Sequence, residues 1–131
     1  GLHTAAICFD TWDDWSSILG AQWVWNQTFH PPPKRFQVFA SSHKHPATRN
    51  IQSFEIDDEI YHYLKTIPET TPLLYTNEGE DNTVQELAWA HTNMKGRVIY
   101  SSIAHDEISI AAPRTFKIFK AVGPLVYGRA T

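Results

Sequence analysis

The sequence of 131 residues predicts an α/β fold, and within it the later part of a doubly wound sheet. Residues 2–8 form a nearly uncharged run without alternation, which is typical of a strand buried on both faces of a parallel sheet. Residues 87–102 alternate as a β-hairpin does, and Pro113 suits the first turn of a closing helix. A doubly buried strand needs neighbours on both sides, and Gly1 is not an initiator methionine. We therefore expect the first strands and helices of the sheet to precede this segment.

A short helix is predicted after the first strand. Thr11 is the expected N-cap, and Gly20 suits the position just past the helix end. Trp12 and Trp15 recur at helical spacing, which assigns both rings to core packing. The three prolines at 31–33 hold the following segment extended, as a rigid surface loop.

Short strands are predicted in the middle of the chain. Residues 35–40 alternate with Phe36 and Val38 on one face, and residues 72–76 form another strand. Residues 54–64 carry an acidic group followed by apolar positions, which indicates a turn that leads into a strand.

The hairpin and the closing helix end the predicted fold. Residues 93–96 make the hairpin turn, and residues 104–107 leave the second strand as a loop. The helix that begins near Pro113 places Phe116, Phe119 and Val122 inward, and Gly123-Pro124 ends or kinks it. With no repeat and no linker, residues 1–131 are predicted to form a single domain.

Composition narrows the classes of function. The net charge of −3 and the lack of a basic stripe argue against a nucleic-acid partner. No apolar run is long enough to span a bilayer, so no membrane partner is expected. The single cysteine, Cys8, cannot form an internal disulfide, which fits a reducing compartment such as the cytoplasm. The alternative of a secreted protein without disulfides stays open. Inside the predicted strand, Cys8 is expected to be a small buried hydrophobe.

Several short motifs occur in one order along nearly the whole chain. They are Gly1-Leu2-His3-Thr4-Ala5, Trp12-Asp13-Asp14-Trp15, His30-Pro31, His45-Pro46-Ala47-Thr48-Arg49, Asp58-Glu59-Ile60-Tyr61, Leu87-Ala88-Trp89-Ala90, Lys95-Gly96-Arg97-Val98-Ile99-Tyr100 and His105. Together they resemble the ThuA-like family, which is named for bacterial trehalose utilisation.

The resemblance implies a flavodoxin-like sheet of the class I glutamine amidotransferase-like superfamily, without the amidotransferase cysteine. It places His3 near the turn where amidotransferases carry their nucleophile, and His105 near their catalytic histidine. The sequence departs from the family pattern at Ala104, where glycine usually precedes the histidine, and at Gly123-Pro124.

Polar residues at predicted strand ends define a candidate site. His3, Glu59 and His105 each lie at or just beyond such an end, where open α/β sheets bind ligands. These three are the candidate catalytic residues, because imidazole and carboxylate exchange protons near neutral pH. His3, His30 and His105 are also candidate ligands for a divalent metal such as zinc or manganese.

Aromatic residues near the proline loop are candidates for binding a sugar. Trp25 and Phe29 precede His30 in the chain, and all three are predicted to contact a substrate ring. Among the remaining histidines, His43 and His45 are expected in a loop, and His62 and His91 on strand surfaces, without a role in the site.

Two functions remain open at this point. The first is an enzyme of carbohydrate metabolism, an isomerase or hydrolase that acts on a sugar or keto-sugar with histidines as acid and base. The second is a non-catalytic binding or assembly domain that has lost the site. In that case residues 1–8 would form an open sheet edge, which invites pairing with another chain and a homo-oligomer.

Overall fold

The computed structural model describes residues 1–113, 115 and 120. The helices are a 3-10 helix at His3–Ala6, α1 at Asp14–Leu19, a second 3-10 helix at Glu80–Asn82 and α2 at Glu107–Ala111. The strands are β1 (Ala21–Gln22), β2 (Lys34–Ala40), β3 (Phe54–Asp58), β4 (Lys65–Thr66), β5 (Thr71–Thr76), β6 (Gln85–Asn93) and β7 (Gly96–Ser101). The α/β class is confirmed.

Five strands form one antiparallel sheet in the order β3-β2-β5-β6-β7, and β1 pairs with β4 separately. β3 and β7 are the outer strands of this order. Nevertheless, the Asp58 carboxylate at the end of β3 accepts a hydrogen bond of 2.7 Å from the backbone N–H of Ala104, just after β7. The sheet therefore curls until its two outer strands approach each other.

The predicted hairpin is confirmed, and so are the two middle strands. In the hairpin, β6 and β7 pair from Ala88 with Ser101 to Asn93 with Gly96. The alternation predicted for β2 also holds, because Phe36 and Val38 are buried in the main apolar cluster. In residues 54–64 the predicted order of turn and strand is wrong. The strand comes first, as β3, and a loop follows it.

The predicted parallel strand at residues 2–8 is wrong. The segment contains a 3-10 helix, and within it only Leu2 bridges the sheet, parallel to Ser101. Cys8 is exposed, so its assignment as a buried hydrophobe is also wrong. The reason is that a short apolar run has no period with which to distinguish a strand from a helical turn.

The first helix begins later than predicted. Its N-cap is Asp13 and makes no side-chain capping bond, whereas Gly20 ends the helix with a φ of 88°, as a left-handed C-cap requires. Trp15 is half-buried and packs against the second apolar cluster. Trp12 is 47% exposed and stacks on Trp15, so its assignment to the core is wrong.

The chain leaves β7 through residues 102–106, which lead into a short helix that was not predicted. Asp106 caps α2 by a reciprocal capping box with Ser109, so α2 precedes the predicted closing helix, and Pro113 is helical as expected. The apolar positions predicted for the closing helix, Phe116, Phe119 and Val122, and its end at Gly123-Pro124, lie outside the described residues. Within the described part of the chain, no helix is long and apolar enough to cross a membrane.

Candidate functional site

Three predicted side chains meet where the outer strands of the curled sheet approach each other. One carboxylate oxygen of Glu59, Oε2, lies 3.1 Å from His3 Nε2 and 3.1 Å from His105 Nδ1. The two imidazole nitrogens are 3.4 Å apart. His3 and Glu59 are buried, while His105 reaches solvent. The structure therefore brings together residues that are 56 and 102 positions apart in the chain.

His3 is held in an unusual backbone conformation. Its φ is 40°, in the left-handed region that side chains other than glycine seldom adopt. The Tyr100 hydroxyl donates a hydrogen bond of 2.7 Å to the His3 carbonyl. The His3 Nδ1–H donates a hydrogen bond of 2.7 Å to the Ser102 carbonyl. These bonds fix both the backbone and the ring of His3.

The tautomer of His3 decides what the site can hold. Since the Ser102 carbonyl only accepts, His3 Nδ1 carries a proton, and neutral His3 presents a lone pair at Nε2. This lone pair faces the Glu59 carboxylate and His105 Nδ1. A carboxylate oxygen and an imidazole lone pair repel each other at 3.1 Å unless a proton or a cation lies between them.

The three donor atoms also have the spacing of metal ligands. Two ligands bound at about 2.1 Å lie roughly 3.0 Å apart around an octahedral ion and roughly 3.4 Å apart around a tetrahedral one. The observed separations of 3.1, 3.1 and 3.4 Å match this range. His3, Glu59 and His105 therefore form a group that suits a divalent ion.

The other predicted residues lie around this centre in different ways. His30 Nδ1 is 3.4 Å from the second Glu59 oxygen, Oε1, and 3.1 Å from its own neighbour's carbonyl. His30 is thus beside the centre, outside the group of three. Trp25 is 60% exposed and contacts the ring of Trp23. Phe29 stacks on His62 at a centroid distance of 4.7 Å.

A series of aromatic rings in contact, here called the aromatic wall, extends from the centre to solvent. Tyr61 lies 4.5 Å from the ring of His3, Trp23 lies 5.1 Å from Tyr61, and Trp25 lies 6.2 Å from Trp23, all between centroids. Burial, then the charge of Glu59, raises the pKa of Tyr61, so its hydroxyl stays protonated. Tyr61 and Trp23 were not predicted as site residues, and the sequence gives no signal that separates them from core aromatics.

Asp58 is another residue that the sequence interpretation missed. In β3, Phe54, Ile56 and Asp58 are buried, while Glu55 and Asp57 are exposed. This alternation is a signal that the sequence contains, because a carboxylate at a buried strand position needs a partner.

Two histidines expected on strand surfaces are buried, so that expectation is wrong. The ring of His62 donates to the Ile60 carbonyl at 2.9 Å and accepts from the Glu80 N–H at 2.7 Å, which joins two loops. His91 donates to the Ser17 carbonyl at 2.7 Å and so fastens the hairpin to α1. Both rings are structural.

The candidate centre does not coincide with the surface cavity of about 370 Å³ beside the hairpin. That cavity is lined by His45, Glu69 and Arg97 together with hairpin residues, and none of the three central residues contributes to it. The chemistry of the donor set, rather than cavity size, distinguishes the candidate site.

The fold and the centre together define an α/β protein with a histidine–carboxylate site. The family model for ThuA, described as trehalose utilisation, matches residues 1–121. The chain therefore belongs to the ThuA family. No curated protein matches the sequence.

Two solved structures have the same fold. A ThuA-like protein from Parabacteroides merdae ATCC 43184 superposes with a TM-score of 0.81 at 12% identity, over 99% of this chain and 60% of that one. A ThuA-like protein from Bacteroides uniformis ATCC 8492 superposes with a TM-score of 0.74 at 18% identity, over 96% of this chain and 56% of that one. The chain thus spans less than two thirds of the length of these relatives.

Proposed function

We propose that this chain carries the reactive centre of a ThuA-family protein that acts on a sugar or keto-sugar. The chemistry is acid–base catalysis by histidine and carboxylate, assisted by a divalent metal ion such as zinc or manganese. The observation that supports the proposal is the single Glu59 oxygen that lies 3.1 Å from both His3 Nε2 and His105 Nδ1. Family membership supports the sugar class, through trehalose utilisation.

The proposed roles follow from exposure and hydrogen bonding. His105 reaches solvent and is the group that takes a proton from the carbon next to a substrate carbonyl. As that C–H bond breaks, its electron pair forms a C–C double bond and the carbonyl oxygen gains the negative charge. His3 and Glu59, without His105, would hold the divalent ion, which would supply Lewis acidity at that oxygen. Glu59 orients His105 and balances its charge after proton transfer.

The aromatic wall supports the assignment of substrate class. Sugars present apolar C–H faces that pack on aromatic rings, and Trp25 offers an exposed ring at the outer end of the wall. His30 is half exposed and lies beside Glu59, where it can donate a hydrogen bond to a substrate hydroxyl.

The test combines metal binding with turnover. We expect the purified protein to bind about one equivalent of zinc or manganese in calorimetry, and His3→Ala and Glu59→Gln to abolish that binding. Two readouts report turnover: glucose released from trehalose, and deuterium incorporated next to the carbonyl of fructose in D2O. His105→Ala should slow either reaction by about a hundredfold or more.

His43→Ala is the matched control for these variants. His43 is an exposed loop histidine whose ring contacts the Thr48 carbonyl at 3.2 Å, away from the centre. The control should keep both metal binding and turnover. A folded His105→Ala variant with unchanged turnover would remove His105 from the mechanism. A wild-type chain that shows neither metal binding nor turnover would refute the proposal.

One expectation of the alternative, an assembly domain, is not met. That alternative was motivated by the absent first part of the fold and by Ala104, and it expected residues 1–8 to form an open edge strand, whereas the segment contains a 3-10 helix and only Leu2 pairs with the sheet. The Gly1 amino group also donates a hydrogen bond of 2.7 Å to the Ile99 carbonyl, so the segment occupies part of the β7 edge.

A further inference from the structure

The Asp58 carboxylate is buried and accepts hydrogen bonds from three backbone N–H groups. Oδ1 accepts from Glu59 at 2.7 Å and from His105 at 3.2 Å, and Oδ2 accepts from Ala104 at 2.7 Å. The residue is only 1% exposed. Burying a carboxylate is costly unless charge-assisted hydrogen bonds compensate the lost hydration. The three bonds from backbone N–H groups provide this compensation for Asp58.

The three donors belong to the two sides of the candidate centre. Glu59 follows β3, and Ala104 and His105 follow β7, which is the opposite outer strand of the sheet. No backbone ladder joins β3 to β7 in the sheet order. The Asp58 carboxylate therefore spans the gap that the curled sheet leaves, next to the Glu59–His105 pair.

Ala104 adds a second, independent observation. Its φ is 100°, a conformation that strains any residue with a side chain. Such strain persists only where the surroundings enforce it, and the bond of 2.7 Å from the Ala104 N–H to Asp58 is such a constraint. The backbone is thus held in a strained turn that carries His105 toward Glu59.

We infer that Asp58 is a positioning residue, which sets the separation of Glu59 and His105 through their backbone N–H groups. The inference rests on the proposed function of the centre. Asp58 does not contact the donor atoms of the centre, and it acts by fixing the two chain segments that carry them. Partners of this kind typically change metal affinity by about 10- to 100-fold when they are replaced.

The test is Asp58→Asn, which keeps the volume of the side chain. Its amide NH2 replaces one carboxylate oxygen, so that an N–H donor faces backbone N–H groups that donate to Asp58 in the wild type. The matched control is Asp57→Asn, because Asp57 is the preceding residue, is exposed and pairs with Arg35 at 2.7 Å. We expect zinc affinity, measured by calorimetry well below the melting temperature, to fall by about 10- to 100-fold in Asp58→Asn. It should stay at the wild-type value in Asp57→Asn.

A second variant separates positioning from stability. Asp58→Asn is also combined with Ala104→Gly, which removes the strain at φ 100° and is expected to raise the melting temperature by about 3 °C. Weakened zinc binding in the folded double variant supports the inference. Wild-type zinc affinity in a folded Asp58→Asn or double variant overturns it.

Failure of the proposed function gives a different result. If the wild-type chain binds no zinc or manganese, amide hydrogen exchange at Ala104 and His105 decides the inference alone. Exchange at least tenfold faster in Asp58→Asn than in Asp57→Asn supports a positioning role, and equal exchange overturns it.

Discussion

The bond between Tyr100 and the first segment provides a sharp test of how His3 is held. The Tyr100 side chain is buried, and its hydroxyl donates to the His3 carbonyl at 2.7 Å. Burial raises the pKa of Tyr100 well above its ordinary value, so the hydroxyl stays protonated and donates throughout the neutral range. We predict that Tyr100→Phe destabilises the protein.

The magnitude follows from the burial of both partners. Removing the hydroxyl leaves the His3 carbonyl without this donor, and an unsatisfied buried acceptor costs about 1–3 kcal/mol. For a chain of this length, about 1 kcal/mol lowers the melting temperature by roughly 4 °C. The expected loss is therefore about 4–12 °C.

Urea unfolding and thermal unfolding of the wild-type protein and of Tyr100→Phe measure this loss of stability directly. Tyr75→Phe is the matched control, because the Tyr75 ring stacks on Phe39 at 5.4 Å and keeps that contact without its hydroxyl. A difference below about 0.5 kcal/mol between the two variants would refute the reasoning, since it would mean that the hydroxyl contributes no more than a surface substitution does.

Two further predictions concern Glu86 and Trp25. Burial raises the pKa of Glu86 above its ordinary value of 4.5, and its Oε2 has no hydrogen-bond partner among the described residues. Its ionised form therefore destabilises the fold, and the penalty develops as the pH rises through the unfolded and then the folded pKa. Glu86→Gln should raise the melting temperature at pH 7 and leave it unchanged well below pH 4.5; an equal gain at both pH values would contradict this. Trp25→Ala should weaken binding of the sugar probes, followed by tryptophan fluorescence, about 2- to 10-fold, whereas the similarly exposed Trp12→Ala should not.

The candidate site was largely predictable because residue type and order carry much of its chemistry. His3, Glu59 and His105 were placed at or just beyond predicted strand ends, and the family resemblance placed both histidines near a reactive centre. The structure brings these three within 3.4 Å of one another. The ring of Phe29 stacks on His62, and its contact with a substrate stays a prediction.

Two of the wrong predictions have a common physical cause. Residues 2–8 and the face of Trp12 were assigned from local apolarity, which does not tell whether a neighbour exists to cover the side chain. Trp12 stacks on Trp15 and contacts Phe9, and these two contacts leave it 47% exposed. Asp58 was missed for the opposite reason: an acidic residue is usually solvated, and only its alternation with Phe54 and Ile56 indicates that it points inward.

The sequence by itself determined the α/β class, the hairpin, the ThuA resemblance and the three residues of the centre. Periodicity and residue order encode these features locally. Only the tertiary structure decided that the sheet is antiparallel and curled, that His3 arrives on a strained 3-10 turn, and that Asp58 joins the two outer strands. The last two features depend on contacts between residues 46 and 97 positions apart, whose geometry no local pattern specifies.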